Sequence, residues 1–127
     1  MQQNEITAAQ LAAKNRAVAM FSLARKAGKL VAGMDMVKDV VAGQKVKVVF
    51  VTCDLAPRSL KEIRFVCRPS EENPKGVQVI PMNIAMDEMA VQIGRRSGIL
   101  AVTDTGFEKK LAALIEESNM PSRRESC

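Results

Sequence analysis

The 127-residue chain has no histidine, no tryptophan and no tyrosine, and only four phenylalanines. Without histidine, the side chain that most often serves as general base and metal ligand is missing. Three cysteines remain, Cys53, Cys67 and Cys127, and none stands in a C-x-x-C pair. No metal site is expected from that set, because a structural zinc needs four Cys or His ligands. An odd number of scattered cysteines fits free thiols in a reducing cytoplasm. Base stacking on exposed aromatic side chains, the habit of many single-strand binders, is largely closed to this composition. No run approaches the roughly 18 apolar residues of a membrane span. The start, MQQNEITAAQ, lacks the cationic-then-apolar order of a signal peptide. A soluble cytoplasmic protein with no membrane contact is the expectation.

What the chain does have is a segregated charge. Residues 1–50 carry eight Lys or Arg against three Asp or Glu, whereas residues 51–127 carry eleven of each. The net charge of +5 therefore lies in the first half, as suits a polyanionic partner or plain solubility. At this length, with 47% hydrophobic residues, one domain with one core is expected.

Hydrophobic periodicity divides the chain into alternating helices and strands. Thr7 to Ala27 reads as a helix, opened by a Thr7–Gln10 capping box and ended by Gly28, with Leu11, Val18, Phe21, Leu23 and Ala24 as its apolar stripe. Leu30-Val31 is a very short strand. Met34 to Ala42 is a short helix with Met36, Val37, Val40 and Val41 inward, stopped by Gly43. Val46 to Val51, nearly all apolar and β-branched, reads as a strand covered on both faces. Pro57 opens a helix to Cys67, with Leu60, Ile63, Phe65 and Val66 toward the core. A Pro/Gly loop spans 68–76. Val77–Ile80 and Ile99–Val102 are further strands. Helices follow over 85–93 and 106–118, the second opened by a Thr105–Glu108 capping box. The fold class expected is α/β, a single-domain three-layer α/β/α sandwich around a small mixed sheet.

Two places carry chemistry. The first is Gly33-Met34-Asp35, where a helix N-terminus offers unpaired amides and a partial positive charge. Asp35 in that first turn would repel a phosphate; it either caps the helix or accepts from base N–H groups such as a guanine edge. Lys38, one turn on, is in reach of a phosphate. The second is Gly94-Arg95-Arg96-Ser97-Gly98, a mobile cationic loop in which arginine could meet phosphate bidentately. Thr52-Cys53-Asp54 and Thr103-Asp104 occupy strand ends, but no nucleophile has an evident base. Both aspartates read as turn or cap residues. G-x-G-x-x-G and Walker A patterns are absent, which together with the missing histidine counts against a nucleotide- or metabolite-binding enzyme, and no cofactor is expected.

The segments LARKAGKLVAG, VKVVFVTCDLAP, GVQVIP and EMAVQIGRRSGILAVTDTGFEKKL occur in that order. Together they resemble the bacterial branch of the ribosomal L-seven-Ae / L-thirty-e superfamily of kink-turn RNA-binding proteins, over about Arg16 to Leu114. The resemblance implies a non-enzymatic, monomeric protein that binds structured RNA, ribosomal or regulatory. It implies a helical extension at 1–15, the RNA-binding domain at 16–118 and a flexible tail at 119–127. It also implies an RNA surface in two parts, Lys29, Gly33, Met34, Asp35, Met36 and Lys38 on one side, and Arg95, Arg96, Ser97, Gly98, Ile99 and Leu100 on the other, with Ile99 and Leu100 packing on an unstacked base. The family's Asn-Glu pair is absent: Met34-Asp35 or Asp35-Met36 stands there, and the Gly33 to Gly43 spacing is one residue short. A protein–protein interaction module of the same fold is the other reading.

Overall fold

The computed structural model describes residues 7–119. Most of the expected tail, Cys127 among it, and the first six residues of the expected extension lie outside that range. Nine elements follow in order: α1 (Ala8–Lys26), β1 (Leu30–Ala32), α2 (Met34–Ala42), β2 (Val48–Val51), α3 (Pro57–Cys67), β3 (Gln78–Pro81), α4 (Met86–Ile93), β4 (Ile99–Val102) and α5 (Thr105–Asn119).

The sheet order is β1-β4-β2-β3. β4 runs antiparallel to both β1 and β2, and β2 runs parallel to β3, so the sheet is mixed as expected. The two central strands, VVFV and ILAV, are buried at every residue. Their side chains alternate between two cores with the period of two that a pleated strand imposes. Phe50, Leu100 and Val102 pack with Phe21, Met89, Leu111 and Ile115 of α1, α4 and α5. Val49, Val51, Ile99 and Ala101 pack with Val37, Val41 and Ile63 of α2 and α3. Three layers result. Phe21 and Phe50 meet edge to face, centroids 5.3 Å apart at 88°, which ties α1 to the sheet.

Several expectations change. The buried stripe of α1 is Gln10, Ala13, Ala17, Phe21 and Ala24, whereas Leu11 and Leu23 are exposed. α1 packs on α5 and runs from Ala8 to Lys26, within the stretch read as helical. The Thr7–Gln10 capping box forms as read, with Thr7 N donating to Gln10 Oε1 at 2.8 Å and Gln10 N to Thr7 Oγ1 at 3.1 Å. Met36 and Phe65 face solvent, because the buried positions of their helices are Val37 and Val41, and Ile63 and Cys67. Free-thiol character holds for Cys67, which is buried, but not for Cys53.

At α5 it is Asp104, not Thr105, that caps: its Oδ1 accepts from Phe107 N at 3.0 Å. Glu108 is released from a capping box and turns inward. At 5% exposure, its Oε2 accepts from Lys47 N at 2.7 Å and Val48 N at 3.0 Å. This carboxylate satisfies the amides where the chain enters β2, so the strand starts at Val48 rather than Val46.

Candidate nucleic-acid interface

The carboxyl ends of β1, β2 and β3 and the amino end of β4 share one edge of the sheet, as the register requires. Ala32 pairs with Leu100, and the ladder extends one residue further, Gly33 N donating to Ile99 O at 3.0 Å. On the other side of β4, Thr52 N donates to Gly98 O at 3.0 Å. The start of α2 is thereby fixed beside the 94–98 loop.

Gly33 has φ 98° and ψ 151°, a region that side-chain-bearing residues avoid. A Cβ there would stand 3.3 Å from Arg95 Nη2. The Arg95 guanidinium thus lies against the Gly33 backbone, and the two stretches singled out in the sequence touch. α2 starts without a side-chain cap, leaving its first-turn amides as donors toward solvent. Met34 packs partly against the Val37 core, while Asp35 is exposed and Met36 is 56% exposed. The outward pair is therefore Asp35-Met36.

Two of the expected cations are occupied by carboxylates. Lys38 Nζ pairs with Glu62 of α3. That hydrogen bond, aided by the charges of Glu62 and Asp35 against some desolvation, holds the Lys38 ammonium above its ordinary pKa. Arg96 Nε donates to Asp87 Oδ1 at 2.8 Å, which raises the guanidinium further, with a smaller push from Asp54. Lys29 and Arg95 are exposed and stand outside the ion pairs found among the described residues.

The 94–98 loop is tethered rather than slack. Gly94 takes the left-handed conformation at the end of α4. Ser97 is buried and its hydroxyl donates to Ile99 O at 3.1 Å. Gly98 is packed so closely that a Cβ would come within 2.7 Å of Leu55 Cδ1. Only Arg95 and Arg96 project. Ile99 and Leu100, at 4% and 0% exposure, sit in opposite cores, so the expectation that they pack on a base is corrected: β4 is a central strand with both faces covered. Ser97 and Gly98 likewise serve to shape the loop.

Arg25 was not singled out in the sequence. A Cβ on Gly94 would lie 2.8 Å from Arg25 Nη2, so this guanidinium rests on the loop from the α1 side. A cation in the last turn of a helix is common; its meeting with Gly94 depends on tertiary packing. Asp54 is a cap residue as read, its Oδ1 accepting from Met86 N at 3.0 Å.

The chain is a single α/β/α domain that presents one glycine-bounded helix start and a basic loop at one end of the sheet, the fold class that the sequence leads one to expect. No protein-family model matches the chain. It is 26% identical over 105 residues to the RNA-binding protein YlxQ of Enterococcus faecium, covering 81% of this chain and 94% of that one. It is similar in structure to a Bacillus halodurans C protein described as of unknown function, with TM-score 0.66 and 25% identity over 79% of this chain and 96% of that one. It shares its fold with the Giardia lamblia 15.5kD RNA binding protein, with TM-score 0.63 and 9% identity over 84% and 88% of the two chains. Among the described residues, no helix is long and apolar enough to cross a membrane.

Proposed function

We propose that this chain is a non-enzymatic RNA-binding protein that acts as a monomer, without metal or cofactor, on a kink-turn or related internal loop of ribosomal or regulatory RNA. The observation that carries this reading is the contact of Arg95 with Gly33, which makes one surface of the α2 start and the basic loop. Relatives named as RNA-binding proteins support it.

The α2 start meets the guanine edges of sheared G·A pairs, with Asp35 accepting from guanine N–H groups. Lys29 and Arg95 neutralise nearby phosphates directly. Lys38 and Arg96 do so by exchanging Glu62 and Asp87 for phosphate oxygens. Met36 covers a base face, and the shape of the RNA dominates recognition.

Calorimetric titration with a kink-turn stem and with the same stem carrying disrupted G·A pairs tests the reading at one fixed salt concentration. Binding at least about tenfold tighter to the intact stem, roughly 1.4 kcal/mol, is expected. Equal affinity for the two stems overturns the specific claim.

A further inference from the structure

The even balance over residues 51–127, eleven cations against eleven anions, hides a second basic surface on α3. On α3, Arg58, Lys61 and Phe65 follow one another at helical spacing opposite the buried Ile63 and Cys67, Arg68 follows as the residue that caps the helix end, and all four are exposed. Arg64 flanks them. The one acid of this helix, Glu62, is turned aside onto Lys38 of α2. At its far end the stripe overhangs a cleft of about 380 Å³ whose rim carries Arg64, Arg68 and Lys75 and whose floor includes Val77. The next acids, Glu71 and Glu72, follow in the loop beyond Arg68 and are exposed.

Phe65 is 61% exposed, an unusual place for a phenylalanine on so charged a face. Arg68 lies over its ring, 4.0 Å from the centroid, and donates to Phe65 O at 3.4 Å. Ring and guanidinium make a flat platform of the kind on which an unpaired base stacks.

We propose that the outward face of α3 is a second RNA-contacting surface, which takes an unpaired strand with a base on Phe65–Arg68 and phosphates along Arg58, Lys61, Arg64 and Lys75. The proposal rests on the RNA-binding reading above and extends it. Arg58 begins the stripe three residues after Leu55, which is packed against Gly98 at the first surface, so one RNA can pass from one surface to the other. From Arg58 to Cys67, the last residue of the helix, the axis covers about 14 Å, enough for a short single-stranded segment. A flat aromatic among cations favours RNA over an acidic protein, for which ion pairs alone would serve.

The test uses an oligouridylate carrying one 2-aminopurine, a kink-turn stem and an acidic peptide of equal charge. The Lys61→Ala/Arg64→Ala/Arg68→Ala variant should bind the oligouridylate about tenfold more weakly, with a salt slope lower by about two. Phe65→Ala should abolish the quenching of 2-aminopurine fluorescence. Arg95→Ala/Arg96→Ala should bind the oligouridylate like the parent while losing the kink-turn stem. All changes are at exposed positions, and circular dichroism checks the fold. Oligouridylate binding unchanged in the triple variant overturns the proposal, as does an acidic peptide that binds as tightly as the RNA. Loss of kink-turn preference with the α3 effect intact sinks only the first surface.

Discussion

The guanidinium of Arg95 lies on the backbone of Gly33, so near that a methyl group added at Gly33 would come within 3.3 Å of Nη2. An alanine at this position therefore meets two obstacles, a backbone with φ 98° and ψ 151° and a tight contact with the Arg95 guanidinium. Gly33→Ala should cost about 1–3 kcal/mol, read as a lower urea midpoint, and should weaken RNA binding. Adding Arg95→Ala removes the tight contact but not the strain, so the double variant should recover little stability. Full recovery would place the cost in the side-chain contact instead.

Asp87 and Glu62 hold Arg96 and Lys38 in ion pairs, so under the proposed function they compete with RNA for these cations. Asp87→Asn and Glu62→Gln should each strengthen RNA binding severalfold at low salt, with little effect on thermal stability, because exposed ion pairs contribute little. Weaker binding in either variant would mean that the pair positions the cation for RNA.

Glu108 holds the entry to β2 through Lys47 N and Val48 N. Glu108→Ala leaves both amides without an acceptor and should cost about 2–4 kcal/mol in chemical denaturation. Glu108→Gln keeps an acceptor oxygen and should cost clearly less. Equal losses would show that the charge, not the acceptor, matters.

Burial pushes the Cys67 thiol from its ordinary 9.0 up to about 11. The folded state then keeps a proton that the unfolded state releases, so stability is level below pH 9.0 and falls as pH rises from there toward about 11. The loss is on the order of 2 kcal/mol. The Lys38–Glu62 pair adds to the fall beyond the ordinary lysine pKa of 10.5, as Lys38 loses its raised proton. Urea midpoints across this range should drop in the parent and drop less in Cys67→Ala. Parallel curves would exclude the thiol as the cause.

Local pattern was enough for most of the fold. The ends of α2 and α3 follow Gly33, Gly43 and Pro57, and β2 and β4 announce themselves as unbroken apolar runs. The misreadings arose where a residue's partner is remote in sequence. Glu108 has the spacing of a capping residue from Thr105, and nothing nearby indicates that two amides sixty residues earlier need its oxygen. The apolar side chain of Phe65 suggests the core, but the helical phase set by Ile63 and Cys67 puts it outside. The family resemblance places Ile99 and Leu100 in the site, but a central strand has no free face. The two halves of the site were each legible; that they touch follows only from the pairing of β1 with β4.

That pairing is slender. β1 is a three-residue strand at the sheet margin, and its last link to β4 is the Gly33 amide on Ile99 O. The margin can fray while the two cores stay closed, since local openings need far less free energy than global unfolding. Such an opening would carry Gly33 away from Arg95 and dismantle the proposed RNA surface in a protein that is otherwise folded. Under the proposed function the strand is then a latch that RNA bridging both halves would hold shut, and the exchange rate of the Gly33 amide hydrogen would report whether it is closed.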